Sequence, residues 1–252
     1  MFNLKASYPY QPEINQVAFD LISKAIKNKK DIKHILDVGC GYGLLSKELK
    51  KTYPKLNFYG IEHAKEASQS SQKILKLLRC DIEDISYIRQ QIKTQKFDVI
   101  IFSDVLEHLY DPVGIIKSYQ SFLNHDGTIV VTVPNIANIF SRIALLFGYF
   151  NYSETGVMDK THIRFFNKQN LKQLAKESNL QIVAQKYDSI LVRWFVPFIK
   201  MFIANKGSGN ILDSKLYQFY FKYLRPIEEL LSTLLPSLFA FRLGVSLQKK
   251  IM

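Results

Sequence analysis

Short apolar runs alternate with amphipathic segments along the first half of the chain. The apolar runs predict strands over 34–38, 57–61, 77–82, 97–102 and 128–133, with a turn at Asp126 and Gly127 before the fifth. The segments between them have helical spacing or helix-start signals and predict helices over 44–51, 64–75, 84–93 and 111–123. Near-continuous apolar strands that alternate with helices indicate a parallel sheet covered on both faces, so we expect an α/β fold.

Beyond residue 135 the pattern is less regular. It predicts a helix over 136–147, a polar and aromatic loop over 148–166, a helix over 167–178 and a strand over 180–187. Strict alternation of apolar residues predicts a further strand over 238–249, and it is carried by Phe239, Phe241, Leu243, Val245 and Leu247. The roughly 50 residues between the last two strands far exceed an ordinary connection. We therefore divide the chain into a core (1–135), a loop, helix and strand that complete the sheet (136–188), a helical insertion (189–237) and a last strand (238–252).

Composition excludes several classes of protein. With 252 residues and 47% hydrophobic content, the chain has enough apolar residues for a folded core and is not a disordered protein. Two Cys cannot frame a fold of this size through disulfides, and the first residues show no apolar signal-peptide region. The chain contains no run of about 18 uninterrupted apolar residues, so the sequence predicts no membrane-spanning helix. A cytoplasmic location is the resulting expectation.

Positive charge is concentrated in the second half of the chain. The chain has 34 Lys and Arg against 22 Asp and Glu, a net charge of +12. Residues 1–135 carry +3 of this charge and residues 136–252 carry +9. A basic surface suits nucleic acid, an anionic membrane or a phosphorylated substrate, and charge alone does not choose among them.

A glycine-rich segment, LDVGCGYG, joins the first predicted strand to the first predicted helix. Gly39, Gly41 and Gly43 let the backbone turn sharply and let a ligand lie against it. Leu44 stands where the dinucleotide-binding fingerprint requires its third glycine, which argues against an NAD-dependent oxidoreductase. Asp37 places a carboxylate just before the loop, and a carboxylate favours a ligand with positive charge over a pyrophosphate.

This D-x-G-x-G-x-G segment resembles motif I of the class I S-adenosylmethionine-dependent methyltransferases. The resemblance implies a seven-stranded, mostly parallel, Rossmann-like sheet with its last strand antiparallel, and S-adenosylmethionine as cofactor. It implies that Glu62, followed by His63, binds the ribose hydroxyls from the end of the second strand. It also implies that Asp81 and Ile82 meet the adenine after the third strand.

The segment SDVLEHL after the fourth strand matches the loop that borders the methionine and methyl group in this family. The resemblance covers residues 33–135, with four motifs in the family's order. The residues that it assigns to the cofactor are Asp37, Gly39, Cys40, Gly41, Gly43, Glu62, His63, Asp81, Ile82, Ser103, Asp104 and His108.

The same segment raises the question of a metal. The D-x-x-E-H order of Asp104, Glu107 and His108 is similar to the E-x-x-E-H of ubiquinone-type O-methyltransferases, where that cluster is associated with a divalent metal. Here the first residue is Asp, and Glu-His also occurs at this place in metal-independent relatives. We predict no metal, with Glu107 and His108 anchoring the loop or contacting the cofactor.

The loop over 148–166 supplies the candidate catalytic residues. Its run D-x-T-H-x-R-F-F resembles a subgroup of methyltransferases from bacterial envelope and polysaccharide gene sets. His162 is the candidate general base, because imidazole titrates near neutral pH, or else it holds the loop in place by hydrogen bonds. Arg164 either pairs with an anionic group of the substrate or bridges to Asp159.

The insertion suggests a second partner. Residues 190–204 contain Trp194 and three Phe, and Arg193 and Lys200 would share one helical face. Such a segment suits the interface of a membrane, or it packs as a lid helix with its cations in water. A nucleic-acid partner ranks lower, because no recognised DNA- or RNA-binding module is present.

The sequence therefore predicts an S-adenosylmethionine-dependent methyltransferase that acts on an oxygen of a small or lipid-linked sugar of the cell envelope. We expect it in the cytoplasm, at the inner face of the membrane if residues 190–204 are interfacial. The alternatives are an RNA or ribosomal methyltransferase and a non-catalytic cofactor-binding scaffold on a membrane glycosylation complex. The sequence leaves the oligomeric state open.

Overall fold

The structure is a computed structural model and describes residues 14–29, 31–189 and 219–250. Its strands are β1 (His34–Val38), β2 (Asn57–Ile61), β3 (Lys76–Leu78), β4 (Phe97–Ser103), β5 (Leu123–Pro134), β6 (Leu180–Ser189) and β7 (Ala240–Lys249). Its helices are α1 (Gln16–Lys27), α2 (Leu44–Thr52), α3 (Lys65–Ser71), α4 (Ile85–Ile92), α5 (Pro112–Tyr119), α6 (Ile139–Leu146), α7 (Lys168–Glu177), α8 (Arg225–Leu234) and α9 (Pro236–Phe239). A π-helical turn, Tyr220–Leu224, leads into α8.

All seven strands form one sheet in the order β3-β2-β1-β4-β5-β7-β6. Strands β1 to β5 run parallel, and β7 runs antiparallel to both β5 and β6. The predicted seven-stranded, mostly parallel, Rossmann-like sheet is confirmed. Because the carboxyl ends of parallel strands meet at one edge, the loops after β1, β2, β3 and β4 are brought together there.

Helices cover both faces of the sheet, as the near-continuous apolar strands predicted. Adjacent residues of β1 point to opposite faces, so Leu36 belongs to a core shared with α4, α5 and α7. Ile35 belongs to a second core, where Leu21 of α1 and Leu49 of α2 pack. Burial on both sides fixes the register of the central strands and hence the positions of the loops that follow them.

Helix α1 is an element that our sequence analysis missed. Its apolar residues 17, 18, 21, 22 and 25 are buried, and this helical spacing is visible in the sequence. Asn15 begins the helix, because its side-chain oxygen accepts a hydrogen bond from the Ala18 N–H. The helix lies against Gly244 of β7, where an added Cβ would come within 2.3 Å of a Val17 methyl. Only glycine allows this close approach.

Three further boundaries differ from prediction. Strand β3 lies at 76–78 instead of 77–82, because this edge strand pairs with β2 over three residues only. Helix α3 ends at Ser71, four residues before the predicted end. Asp126 and Gly127 lie within β5, and the pairing of β5 with β4 shifts register there between its two ends.

Part of the predicted insertion can be compared with the structure. The helical stretch expected around 216–235 is represented by α8 and the turn before it. Residues 190–204, predicted as an interfacial or lid helix, lie outside the described residues. Within the described ranges, no helix is both long and apolar enough to cross a membrane.

Candidate functional site

A cleft of about 210 Å³ opens at the carboxyl edge of the parallel strands. Its wall is made by the loops after four strands and consists of Gly39, Glu62, His63, Asp81, Ile82, Asp104, Val105, His108 and Leu109. Seven of the twelve residues predicted to meet a cofactor thus line one cleft. Asp37, Cys40, Gly41, Gly43 and Ser103 are the five that do not line it.

The glycine loop closes the end of the cleft next to β1. Gly39, Gly41 and Gly43 all have positive φ, between 51° and 73°, a region that residues with a side chain rarely adopt. A Cβ on Gly39 would lie 2.9 Å from a Val105 methyl, so glycine is needed to bring this loop against the loop after β4. A Cβ on Gly41 would meet nothing within 4 Å. The loop therefore leaves open space beside its backbone.

Glu62 ties the glycine loop to the start of α3. One of its carboxylate oxygens accepts a hydrogen bond from the Gly41 N–H at 2.9 Å, and the other accepts from the Ala64 N–H at 2.8 Å. Asp81 is oriented similarly, because one of its oxygens accepts from the Glu83 N–H at 2.9 Å. The cleft therefore presents two carboxylates that backbone donors hold in place.

Asp37 precedes the glycine loop, and direct contact of its carboxylate with a cationic ligand stays a prediction. The side chain is buried, and the Ser46 hydroxyl donates a hydrogen bond to it at 2.6 Å. Burial raises the pKa of Asp37 to about 6, although the bond from Ser46 opposes the shift, and the nearby charge of Glu62 adds to it.

The thiol of Cys40 also faces away from the cleft. It packs against the core that contains α1 and α2, and a Cβ on Gly60 would lie 2.8 Å from its sulfur. Burial raises the pKa of this thiol.

Asp104 is held by a cation that our sequence analysis missed. Arg242 of β7 donates from Nε to one carboxylate oxygen at 2.9 Å and from Nη2 to the other at 2.7 Å. The Thr132 hydroxyl donates to the same carboxylate, and Asn15 donates from Nδ2 to Ser103 and to Thr132. These bonds support Asp104 in a backbone conformation with φ of 55°.

The loop over 148–166, which we call the lid, is anchored to the loop after β4 through Glu107. The Glu107 carbonyl oxygen accepts hydrogen bonds from the N–H groups of Ile163 and Arg164, both at 3.0 Å. Its side chain is buried, and among the described residues neither carboxylate oxygen has a hydrogen-bond partner. Burial raises the pKa of Glu107 well above its ordinary range, and the charge of Asp104 adds to this shift.

His162 is part of this anchor and does not face the cleft. Its ring is buried, its Nδ1 lies 3.1 Å from the Val157 carbonyl oxygen, and its Nε2 lies 4.0 Å from Glu107 Oε1. Of the two interpretations of His162, the geometry therefore favours the one in which it holds the lid. His108, on the cleft wall, contacts the edge of this ring, with 4.9 Å between the ring centroids.

The grouping that the sequence raised as a metal site, without predicting a metal, differs in the structure. Asp104 pairs with Arg242, whereas Glu107, His108 and His162 bring one ligand atom each to within 4.8 Å of one another. Two imidazoles and a carboxylate form a donor set that a divalent cation can use. The sequence analysis grouped Asp104 with Glu107 and His108, because it could not foresee that the lid contributes His162.

Asp159 and Arg164 lie in the lid, away from the cleft wall, and do not bond to each other. Arg164 donates to the Tyr110 carbonyl oxygen at 2.6 Å. The backbone and side chain of Thr161 both donate to Asp159. Although burial works against it, this bonding holds the pKa of Asp159 below its ordinary value. Both residues shape the lid in this structure.

A second cavity, of about 420 Å³, lies between α6, the lid and the start of β7. Its wall contains Asn138, Phe140, Ser141, Ala144, Tyr149, Asn151, Ser153, Thr155, Val157, Met158 and Phe241. None of these side chains is charged. Val157 belongs to this wall and also accepts the hydrogen bond from His162, so His162 connects the cavity to His108 on the cleft.

Comparison with known proteins identifies similar chains. A family model described as a methyltransferase domain matches residues 10–185. The chain is 33% identical over 110 residues to a ubiquinone biosynthesis O-methyltransferase from Actinobacillus pleuropneumoniae, a match that covers 41% of this chain and 46% of that protein. The chain thus spans less than half the length of that relative. A protein of the same name from Coxiella burnetii is 29% identical over 178 residues, or 68% of this chain and 72% of that one.

Solved structures of low sequence identity share the fold. A methyltransferase from Archaeoglobus fulgidus, described as SAM-dependent, has a TM-score of 0.57 at 18% identity, with 93% of this chain and 94% of that chain covered. The plantazolicin methyltransferase BpumL, in complex with a desmethyl substrate analogue and SAH, has a TM-score of 0.55 at 18% identity, with 94% and 84% covered. At these identities the likeness concerns the fold.

Proposed function

Because the chain belongs to the class I S-adenosylmethionine-dependent methyltransferases, we propose that it methylates an oxygen of a small or lipid-linked sugar of the cell envelope. The enzyme class and the cofactor follow from the family. The acceptor is our proposal, and it rests on the uncharged cavity beside the lid.

The carboxylates of the cleft support our assignment of the cofactor-binding residues. S-adenosylmethionine offers hydroxyl and amino donors, and ionised carboxylates accept hydrogen bonds from them. We assign the ribose hydroxyls to Glu62 and the adenine amino group to Asp81, with Ile82 against the ring. The open backbone at Gly41 leaves room beside the loop. When bound, the cofactor supplies a methyl group on a positively charged sulfur, which keeps the electron pair of the broken bond.

His108 is our candidate for the general base. Its Nδ1 lies 3.2 Å from the Thr161 carbonyl oxygen, which can only accept, so the neutral ring carries its proton on Nδ1. Nε2 is then free to take the proton of the acceptor hydroxyl as the acceptor oxygen bonds to the methyl carbon. His162 becomes a positioning residue that holds the edge of this ring.

The cavity beside the lid carries the proposal for the acceptor. Its aromatic side chains, Phe140, Tyr149 and Phe241, offer flat faces on which a ring can stack. Its hydroxyl and amide side chains can bond to neutral hydroxyl groups, and they are Asn138, Ser141, Asn151, Ser153 and Thr155. A wall without charges suits a neutral ring that carries several hydroxyls, which describes a sugar.

A transfer assay tests the acceptor. The protein would be incubated with S-adenosylmethionine labelled in its methyl group and with separated glycolipid, quinone and RNA fractions of a bacterial extract. We expect label in the glycolipid fraction, and in a methylated sugar after acid hydrolysis. Label confined to RNA would favour the RNA methyltransferase alternative. Cofactor binding without label in any fraction would favour the non-catalytic scaffold.

A phenolic hydroxyl is the second candidate acceptor. The curated relatives described above are named ubiquinone biosynthesis O-methyltransferases, and a neutral aromatic ring also fits an uncharged cavity with aromatic walls. Label in the quinone fraction of the same assay would select this acceptor over the sugar.

Variants of two histidines test the base. His108→Ala should lower kcat by about 10²–10⁴-fold while SAH affinity changes little, because a general base acts on the acceptor proton. His125→Ala is the matched control, since this ring is almost fully exposed beside Asp126. Equal kcat values for the two variants would remove His108 from this role.

A further inference from the structure

Helix α8 turns an apolar stripe towards solvent. The stripe, which we call the α8 stripe, consists of Phe219, Tyr223, Ile227, Leu230 and Leu234, each between 51% and 66% exposed. Spacings of three and four residues place these side chains on one face of the helix. The rings of Phe219 and Tyr223 are 5.1 Å apart, which shows that the stripe continues through the turn before α8.

The opposite face of α8 is polar and buried. Glu228 and Ser232, one turn apart, are each only 2% exposed, and the helix packs against β6. A surface helix of a globular protein normally buries its apolar face and exposes its polar one. In α8 the two faces are exchanged. Such an arrangement indicates that the apolar face meets a partner, because large exposed apolar patches are rare on proteins that have none.

The apolar surface extends beyond α8. Helix α9 follows α8 and contacts α6, where Leu145, Leu146 and Phe147 are exposed. Other residues of α6 line the uncharged cavity beside the lid. Helix α6 therefore carries exposed apolar side chains and also forms part of the wall of the proposed acceptor site.

The charge distribution indicates which partner fits. Residues 189–252, which contain the α8 stripe, carry nine Lys and Arg against three Asp and Glu. On α8 itself Glu229 is paired with Arg225, and Glu228 is buried. A second copy of the chain would bring its own +12 against this surface, so like charges oppose self-association. An exposed apolar stripe on a chain of net charge +12 suits a surface that is both apolar and anionic.

We propose that the α8 stripe, together with the exposed face of α6, binds the surface of an anionic phospholipid bilayer. The stripe enters the boundary between headgroups and acyl chains, and the net positive charge of the chain attracts the anionic headgroups. This inference does not depend on the identity of the acceptor.

Sedimentation with vesicles tests the proposal. Wild-type protein would be mixed with phosphatidylcholine vesicles that do or do not contain phosphatidylglycerol, at low and high salt, without acceptor or cofactor. We expect binding to the anionic vesicles, weakened by salt. The triple variant Ile227→Gln, Leu230→Gln, Leu234→Gln should bind them about tenfold or more weakly, because it removes apolar area that enters the bilayer.

The controls separate the proposal from its rivals. Tyr87→Gln removes an exposed aromatic ring from α4 and should leave vesicle binding unchanged. SAH titration reports whether each variant is folded, and Leu234→Gln alone should weaken vesicle binding in the same direction if the triple variant does not fold. Equal binding by wild type and folded variants overturns the proposal. The proposal is also overturned if the wild-type protein does not bind vesicles, whether it stays monomeric or forms a dimer that the triple variant loses.

Discussion

At the scale of single residues, Glu62 holds two parts of the cleft with one carboxylate. Its oxygens accept from the Gly41 and Ala64 N–H groups, one from each side. In Glu62→Gln the amide NH₂ would face one of these donors, and the charge that strengthens both bonds is lost. We expect SAH affinity to fall by about tenfold or more, measured by calorimetry. Glu66→Gln removes an equal charge from the exposed first turn of α3 and should leave affinity unchanged; equal losses in the two variants would contradict the assignment.

Asp37 should make the stability of the protein depend on pH. Burial raises its pKa to about 6, so the folded state binds this proton more tightly than the unfolded state does. Stability is therefore lost as the pH rises from about 4 to about 6. Asp37→Asn keeps the oxygen that accepts from Ser46 and cannot ionise. Relative to this variant, the wild type should lose about 2 kcal/mol over that range, because the slope approaches about 1.4 kcal/mol per pH unit only between the two pKa values.

Urea unfolding of both proteins across this pH range measures the difference. Because every other titrating group is shared, subtraction isolates the contribution of Asp37. Parallel curves for the two proteins would show that its pKa is the same in the folded and unfolded states.

Residues that belong to local motifs were predictable, whereas residues that act across the fold were not. Gly39, Glu62 and Asp81 each follow a strand whose apolar run is visible in sequence, so their meeting at one edge could be inferred. Arg242 is 138 positions from Asp104, and a single cation in an alternating strand carries no local signal of that pairing. For His162 the residue was identified, but its burial depends on where the lid folds.

At the scale of elements, the close packing of α1 on β7 depends on Gly244. An added methyl group would lie 2.3 Å from Val17 and 2.8 Å from Leu21. Gly244→Ala should therefore lower the free energy of unfolding by about 1–3 kcal/mol, measured by urea unfolding, because the helix must move or the side chains must leave their rotamers.

Ser246→Ala is the matched control for this variant. It lies two residues along the same strand, and its hydroxyl is buried without a hydrogen-bond partner among the described residues. Its removal should leave stability unchanged or raise it slightly. Similar losses for both variants would mean that β7 tolerates no change here, and that the contact with α1 is not the cause.

Helices and strands were predicted best where local signals agree. Helix α7 lies between Asn167 and Ser178, within the predicted range 167–178. A capping box at Asn167 fixes the start of the helix. Strand β3 was placed too late, since the apolar run continues past the point where the edge strand stops pairing. Helix α1 was missed although its cap and its apolar spacing were both present.

At the scale of the whole molecule, the ion pair of Arg242 with Asp104 joins the last strand to the cofactor cleft. The guanidinium is largely buried, so its loss would leave the Asp104 carboxylate without its cationic partner. Arg242→Met should lower the free energy of unfolding by about 3–5 kcal/mol, and Arg242→Lys by less, because lysine keeps the charge but not the two parallel bonds.

A second substitution tests the cause. Asp104→Asn in the Arg242→Met background removes the unpaired charge, and Asn tolerates the positive φ of this position. The double variant should recover part of the lost stability in urea unfolding. A double variant no more stable than Arg242→Met alone would mean that the guanidinium matters through packing instead of charge.

The position of β7 has a consequence for how the protein is made. Fifty residues separate β6 from β7, yet β7 is inserted between β6 and β5. While a ribosome adds those residues, over several seconds at about 5–20 residues per second, β5 keeps an open edge and β6 has no neighbour among the described strands. An open edge is a template for pairing with other chains. The nascent chain therefore has a period in which chaperone protection matters most, and that period ends only when residues 240–249 have emerged.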